Sequence, residues 1–195
     1  MTRARDVSSR GGMTAVIPST VTVGAGSASV GANGQVTFTN ATNMMLNNVF
    51  SSAYRDYRIV MDITGVGAAQ YFTVRLKGAG TIYGSYTTVG SLYSVSGGTG
   101  STLNMGTSNQ GISLGYIGYT GGARAGLTVD VFQPAEPVAT ILNFHSGGHS
   151  NNSAHSMTSG SVINFTDTAM DSIEIALQTG LTFTGTLRIY GYNNG

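Results

Sequence analysis

Apolar and polar residues alternate along much of this chain. Tyr57, Ile59, Met61 and Ile63 share one parity, and Arg58 and Asp62 hold the other. Phe72, Val74 and Leu76 oppose Thr73, Arg75 and Lys77. Leu127, Val129 and Val131 oppose Thr128 and Asp130. Ile173, Ile175 and Leu177 oppose Glu174, while Leu187 and Ile189 oppose Arg188 and Tyr190. A period of two is the signature of a strand with one buried face. A slip of one residue would turn every apolar set into water, so the alternation fixes which face packs inward. Strands with one wet face belong to antiparallel sheets, and two such sheets stacked face to face make a sandwich. Further strands are expected at Gln35–Asn40, Met45–Phe50, Ile112–Ile117 and Thr140–Phe144. The segment Thr168–Leu177 is the one weak helical candidate, and its isoleucines alternate as in a strand. The predicted class is all-β, an antiparallel β sandwich.

The punctuation between these runs is glycine. Gly97-Gly98-Thr99-Gly100 and Gly121-Gly122 read as turns or loop tips. Gly147-Gly148 lies in a polar stretch, His145–Ser161, rich in Ser, Asn, His and Gly, which predicts a long exposed loop. The N-terminus differs from the rest. Met1–Gly12 carries Arg3, Arg5, Asp6 and Arg10 with little apolar mass, and Gly11-Gly12 sets it apart. It cannot build a core alone, so it is expected to be frayed or captured by a neighbour. The expected organisation is a basic N-terminal arm over residues 1–16 and a β-sandwich domain over residues 17–195.

Composition sharpens this picture. Charged residues make up 9% of the chain, against roughly 25% in ordinary soluble domains. With 41% hydrophobic residues and a net charge of +1, this is not a disordered chain. Two readings explain so few charges. The surface is covered by Ser, Thr, Asn and Gly, or it is buried against copies of itself; both are expected together. Nine basic residues balanced by eight acids argue against nucleic-acid binding. The absence of cysteine excludes disulfides and thiolate metal sites. No apolar run approaches the ~18 residues of a membrane helix. Met1–Gly12 lacks the apolar core of a signal peptide, so synthesis in the cytoplasm without membrane partners is expected.

Candidate chemistry is sparse. His145, His149 and His155 fall close together, and imidazole is a common metal ligand. No nearby Glu or Cys completes a four-ligand set, so polar loop residues are the expected reading and no metal is assigned. No phosphate loop occurs. Asp167 and Asp171 are close in sequence but lie near a turn, where solvated strand ends are the expected role. No residue set meets the geometric roles of a catalytic site, so neither enzymatic activity nor a cofactor is expected. Ten tyrosines and no tryptophan are more informative. Tyr83, Tyr86 and Tyr93 lie in the Gly- and Ser-rich middle, where tyrosine makes adaptable contacts. They are candidates for glycan or subunit contact.

Four segments carry a resemblance. Met1-Thr-Arg-Ala-Arg-Asp-Val-Ser-Ser9 resembles the short leader of tailed-bacteriophage fibre, minor tail and other virion proteins. Val49-Phe-Ser-Ser-Ala-Tyr-Arg-Asp-Tyr-Arg-Ile-Val60 is similar to a strand that opens the β domain in that group. Phe72-Thr-Val-Arg-Leu76 and Gly185-Thr-Leu-Arg-Ile-Tyr-Gly-Tyr192 are similar to its following and closing strands. The resemblance implies a virion protein with a jelly-roll-like sandwich, a homo-oligomer and most often a trimer, with no catalytic residues. It also implies attachment to the particle through the leader, here Thr2, Arg3, Arg5, Asp6 and Arg10. Long fibres place a stalk after the leader, whereas this chain has only about Ser9–Val23. That suits a capsid decoration or a short tail appendage, partnered by the major capsid or tail protein of the same phage. The alternative within the group is an adhesin for a host-surface polysaccharide.

Overall fold

A computed structural model describes residues 12–66, 70–83, 86–95, 107–108, 112–117, 124–149, 155–177 and 180–192. In chain order the strands are β1 (Met13–Val16), β2 (Thr20–Val23), β3 (Ser27–Val30), β4 (Val36–Ala41), β5 (Asn43–Asn47), β6 (Asp56–Val66), β7 (Gln70–Gly78) and β8 (Thr81–Tyr83). They continue as β9 (Tyr86–Val95), β10 (Thr107–Ser108), β11 (Ile112–Ile117), β12 (Arg124–Phe132), β13 (Thr140–His149), β14 (His155–Asn164), β15 (Ser172–Leu177) and β16 (Phe183–Tyr192). No helix occurs among the described residues.

The strands form two antiparallel sheets. The larger runs β10-β9-β14-β13-β12-β6-β16-β4-β3, with β1 also paired to β16. The smaller runs β11-β7-β15-β5-β2, with β8 on β7. The chain passes repeatedly from one sheet to the other, at β4 to β5, β6 to β7, β11 to β12 and β15 to β16. This crossing, not a simple meander, makes the sandwich jelly-roll-like.

The alternation decides the core. Tyr57, Ile59, Met61 and Ile63 of β6 are buried, as are Leu127, Val129 and Val131 of β12 and Leu187 and Ile189 of β16. Across the gap, Phe72, Val74 and Leu76 of β7 and Ile173, Ile175 and Leu177 of β15 close the other side. Phe183 meets Phe38 edge-on with ring centroids 5.1 Å apart, and Phe72 at 5.4 Å. Such pairs add about 0.5–1.5 kcal/mol each beyond area burial. Tyr57 brings a hydroxyl into this core and satisfies it locally. Its O–H donates to the Ser51 carbonyl at 2.7 Å and its oxygen accepts from the Ser51 N–H at 2.7 Å.

Two positions show why glycine is needed. At Gly185 the register of β16 shifts against both β4 and β6, and an added Cβ would stand 2.1 Å from the Asp62 carbonyl oxygen. At Gly191 an added Cβ would stand 2.2 Å from Cγ of Tyr54, whose ring lies against that backbone.

Three expectations are corrected. The stretch His145–Ser161 is not a long loop. Strands β13 and β14 pair from Thr140↔Asn164 to His149↔His155, and Gly147-Gly148 lies inside β13. The signal was lost because the inner row of these strands turns small and polar, with Ser146 opposite Thr158 beyond the apolar Leu142, Phe144 and Val162. The final residues of the expected arm, Met13–Val16, form β1 against Tyr192–Ile189. This strand is held by ladder hydrogen bonds and buries little side chain, so no apolar pattern announced it. Glu174, placed on a wet face by alternation, is only 4% exposed. Residues 97–100 and 121–122 lie outside the described residues.

Candidate functional site

The outward face of the larger sheet carries a row of polar side chains across five strands. Register places Arg58 of β6 opposite Asp130 of β12 on one side and Tyr190 of β16 on the other. Asp130 faces Asn143 of β13, which faces Ser161 of β14. Arg58 grips Asp130 with both arms of its guanidinium, Nε to Oδ1 at 2.7 Å and Nη2 to Oδ2 at 2.8 Å. The Tyr192 hydroxyl donates to the same Oδ1 at 3.2 Å, and the guanidinium carbon lies 5.7 Å from the Tyr192 ring centre. Ser161 Oγ donates to Asn143 Oδ1 at 2.7 Å. The hydrogen bond to Asp130 leads the causes that raise the Arg58 pKa. Burial, followed by the Asp130 charge, raises that of the Tyr192 phenol against the opposing pull of Arg58. The result is a charge pair neutralised within the sheet.

Apolar side chains flank this row on one side. Two residues along, Phe132, Ile141 and Ile163 are directly registered on β12, β13 and β14. In the other direction stand Val60, Thr128, His145 and Ser159.

At the same end of the sheet lies an open cleft of about 290 Å³ lined by Ser52, Tyr54, Arg55, Gln133, Glu136 and Val138. Gln133 follows β12 with a left-handed φ of 53°, a conformation that costs a non-glycine residue about 1–3 kcal/mol. Its amide N–H holds that turn by donating to the Arg55 carbonyl at 3.1 Å and to Asp56 Oδ1 at 3.2 Å. With its side-chain amide oxygen facing the guanidinium, Gln133 accepts from Arg55 Nη2 at 2.9 Å and Nε at 3.1 Å. Glu136 is the single carboxylate in the lining, so the paired acids that glycoside hydrolysis requires are not assembled there.

The sequence-derived candidates fall in different places. Thr2, Arg3, Arg5, Asp6 and Arg10 lie outside the described residues. The described chain starts beside Met13, opposite Tyr192 and next to the strand end that Tyr54 covers. Tyr83 pairs with Leu76 in the smaller sheet. Tyr86 and Tyr93 pair with Asn164 and Met157 in the larger one. The three tyrosines are therefore divided between the two sheets. His145 pairs with Thr128 and Ser159, and His149 with His155. No group of three or more metal-ligating side chains occurs among the described residues. Sequence reasoning missed the Arg58–Asp130–Tyr192 cluster. Each residue sits on a polar parity that was legible, but which strands become neighbours was not.

No family model matches the chain, and no curated protein matches it. Among solved structures, the galectin LEC-6 of Caenorhabditis elegans aligns at 12% identity and a TM-score of 0.37, over 85% of this chain and 100% of that one. A winged bean acidic lectin, complexed with methyl-alpha-D-galactose, aligns at 8% identity and 0.26, over 95% and 99%. The catalytic domain of an endo-1,3-beta-glucanase from Thermotoga petrophila aligns at 10% and 0.22, over 86% and 75%. At these scores the likenesses add nothing to the architecture read from the strands themselves.

Proposed function

We propose that this chain is a non-enzymatic structural subunit of a tailed-bacteriophage particle. It is an oligomeric surface component, a capsid decoration or short tail appendage, anchored through the basic arm that contains Thr2, Arg3, Arg5, Asp6 and Arg10. The observation that carries this reading is the place where the arm meets the body. Met13 pairs with Tyr192, so the first and last strands lie side by side at one end of the larger sheet. The opposite end is formed by Val66, Arg124, His149 and His155, where β6 and β13 finish and β12 and β14 begin. A body with its arm root at one end has a defined orientation when the arm is held. The arginines supply bidentate donors for carboxylates on an acceptor protein. The low ionic content of the body reduces the desolvation that close packing on a particle would cost.

The test is truncation. Removing residues 2–12 leaves every core residue in place, so the circular dichroism spectrum should stay β-rich and the melting temperature should move by only a few degrees. In a phage carrying the truncated gene, the subunit should be found in the soluble fraction and not on purified particles. Particles that carry the truncated subunit at full-length levels would overturn the anchoring role.

A further inference from the structure

We infer that the cleft at the arm end of the body binds a single uncharged sugar ring. Its walls are fixed before any ligand arrives. On one side, Tyr57 anchors Ser51 through two hydrogen bonds of 2.7 Å, and the N–H groups of Val49 and Phe50 donate to the Asp171 carbonyl at 2.8 and 3.0 Å. These bonds hold the segment that puts Ser52 and Tyr54 on the lining. On the other side, Gln133 keeps its left-handed backbone, the Glu136 N–H donates to the Gln133 carbonyl at 3.2 Å, and the Val138 N–H donates to the Glu136 carbonyl at 2.8 Å. Pro134 is buried, and its carbonyl accepts from the Met170 N–H at 2.6 Å. A site built this way loses little ordering entropy on binding. Strained backbone of the Gln133 kind collects at ligand clamps.

The lining selects the ligand. A sugar hydroxyl both donates and accepts, so it needs acceptors and donors side by side. Arg55 supplies N–H donors, and Gln133 fixes the plane of its guanidinium through Nη2 at 2.9 Å and Nε at 3.1 Å. The Glu136 carboxylate supplies acceptors; it is exposed and forms no ion pair among the described residues. The Ser52 hydroxyl and the Gln133 amide do both. Tyr54 and Val138 give the apolar surface that the C–H side of a sugar ring needs. The Tyr54 ring is itself held, against the Gly191 backbone and edge-on to Tyr57 at 5.9 Å between centroids. One guanidinium and one carboxylate balance, so an anion is repelled by Glu136 and a cation by Arg55. A purely apolar molecule would leave the polar walls unpaired. The volume of about 290 Å³ stands at the lower bound of small-molecule sites, ~300 Å³, which limits the occupant to one ring. This site goes beyond the subunit reading and does not rest on it.

The full-length protein is tested by saturation-transfer NMR, which reads weak ligands on a protein of any assembly size. The probes are the methyl glycosides of glucose, galactose, mannose, rhamnose and N-acetylglucosamine. At least one should bind saturably with a dissociation constant on the order of 1 mM, the range of a ligand of about a dozen heavy atoms. Glu136→Gln and Arg55→Lys should each weaken that binding about tenfold, the loss of one charge-assisted hydrogen bond. Both side chains are exposed, so the circular dichroism spectrum and melting temperature should stay those of the wild type. Arg188→Gln, exposed on the larger sheet in register with Val60, should bind as the wild type does. Acetate and glycine, one anionic and one zwitterionic, should not compete with the sugar. No saturable binding by any of the glycosides overturns the inference. So does binding that Glu136→Gln and Arg55→Lys both leave intact, or a sugar that acetate or glycine displaces at equal concentration. None of these results touches the truncation experiment, which reads particle incorporation and not ligand binding.

Discussion

Glu174 shows how one residue can depart from its pattern and remain stable. It stands on the outward row of β15, yet Arg75 of β7 and Met45 of β5 sit directly opposite it and Asn43 donates to its carboxylate. Burial follows from being on an inner strand with large neighbours, and alternation alone does not see neighbours. Removing Arg75 strands a buried carboxylate. Arg75→Met should cost about 2–3 kcal/mol, the low end for a broken buried pair because Arg75 is half-exposed and Asn43 remains. The double change Arg75→Met with Glu174→Leu should recover most of that loss, since an apolar replacement leaves no charge to solvate. Urea denaturation of the two singles and the double checks both. Tyr192 gives a pH signature. Burial and the Asp130 charge raise its pKa above the ordinary value of 10.0. The fold therefore favours the neutral phenol. That contribution is complete below the unfolded value near 10 and fades as pH climbs through the raised one. Wild-type stability should fall more steeply above about pH 10 than that of Tyr192→Phe, measured by denaturant melts across that range.

At the scale of elements, β16 carries the most demanding geometry. Its register shifts at Gly185, where the backbone comes so close to Asp62 that no side chain fits. Gly185→Ala should destabilise by about 2–3 kcal/mol through overpacking. Gly126 of β12 is the matched control, with nothing within 4 Å of an added Cβ. Gly126→Ala should be neutral or stabilising by up to about 1 kcal/mol, as the substitution restricts the unfolded chain. Thermal melts of the pair separate a steric requirement from a general cost of losing glycine. The elements that the sequence made legible are those with a continuous apolar parity. β11 spans Ile112–Ile117 as expected, and β6, β7, β12 and β15 bury the sets that alternation picked out. The first half of β13 matches the expected Thr140–Phe144, but its second half and β14 escaped because Ser146, Gly147, Gly148 and Thr158 have no hydrophobic rhythm; register with neighbouring strands holds them in the sheet. Strand order escaped entirely. A period of two says which face a residue takes and nothing about the strand beside it, so Arg58 and Asp130 could not be paired in advance.

At the scale of the molecule, two features bear on assembly. The body is oriented, with the arm root at Met13 beside Tyr192 and the strand ends Val66, Arg124, His149 and His155 at the far end. Both broad faces are polar in the main, the larger sheet's around the Arg58–Asp130 pair with exposed Asp62, Arg124 and Arg188, and the smaller sheet's around Arg75 and Glu174. A chain with 9% charged residues has few charges to desolvate when its surface is packed, as the proposed subunit role requires. The tyrosines singled out for glycan contact are divided between the sheets, whereas the first described strand, β1, pairs with the closing strand β16. The most direct measurement is a cryo-electron microscopy reconstruction of purified particles. This account predicts repeated density on the particle surface that fits the two-sheet body, with the Met13–Tyr192 end turned inward. Particles that lack this density, while the chain accumulates free in the infected cell, would contradict it.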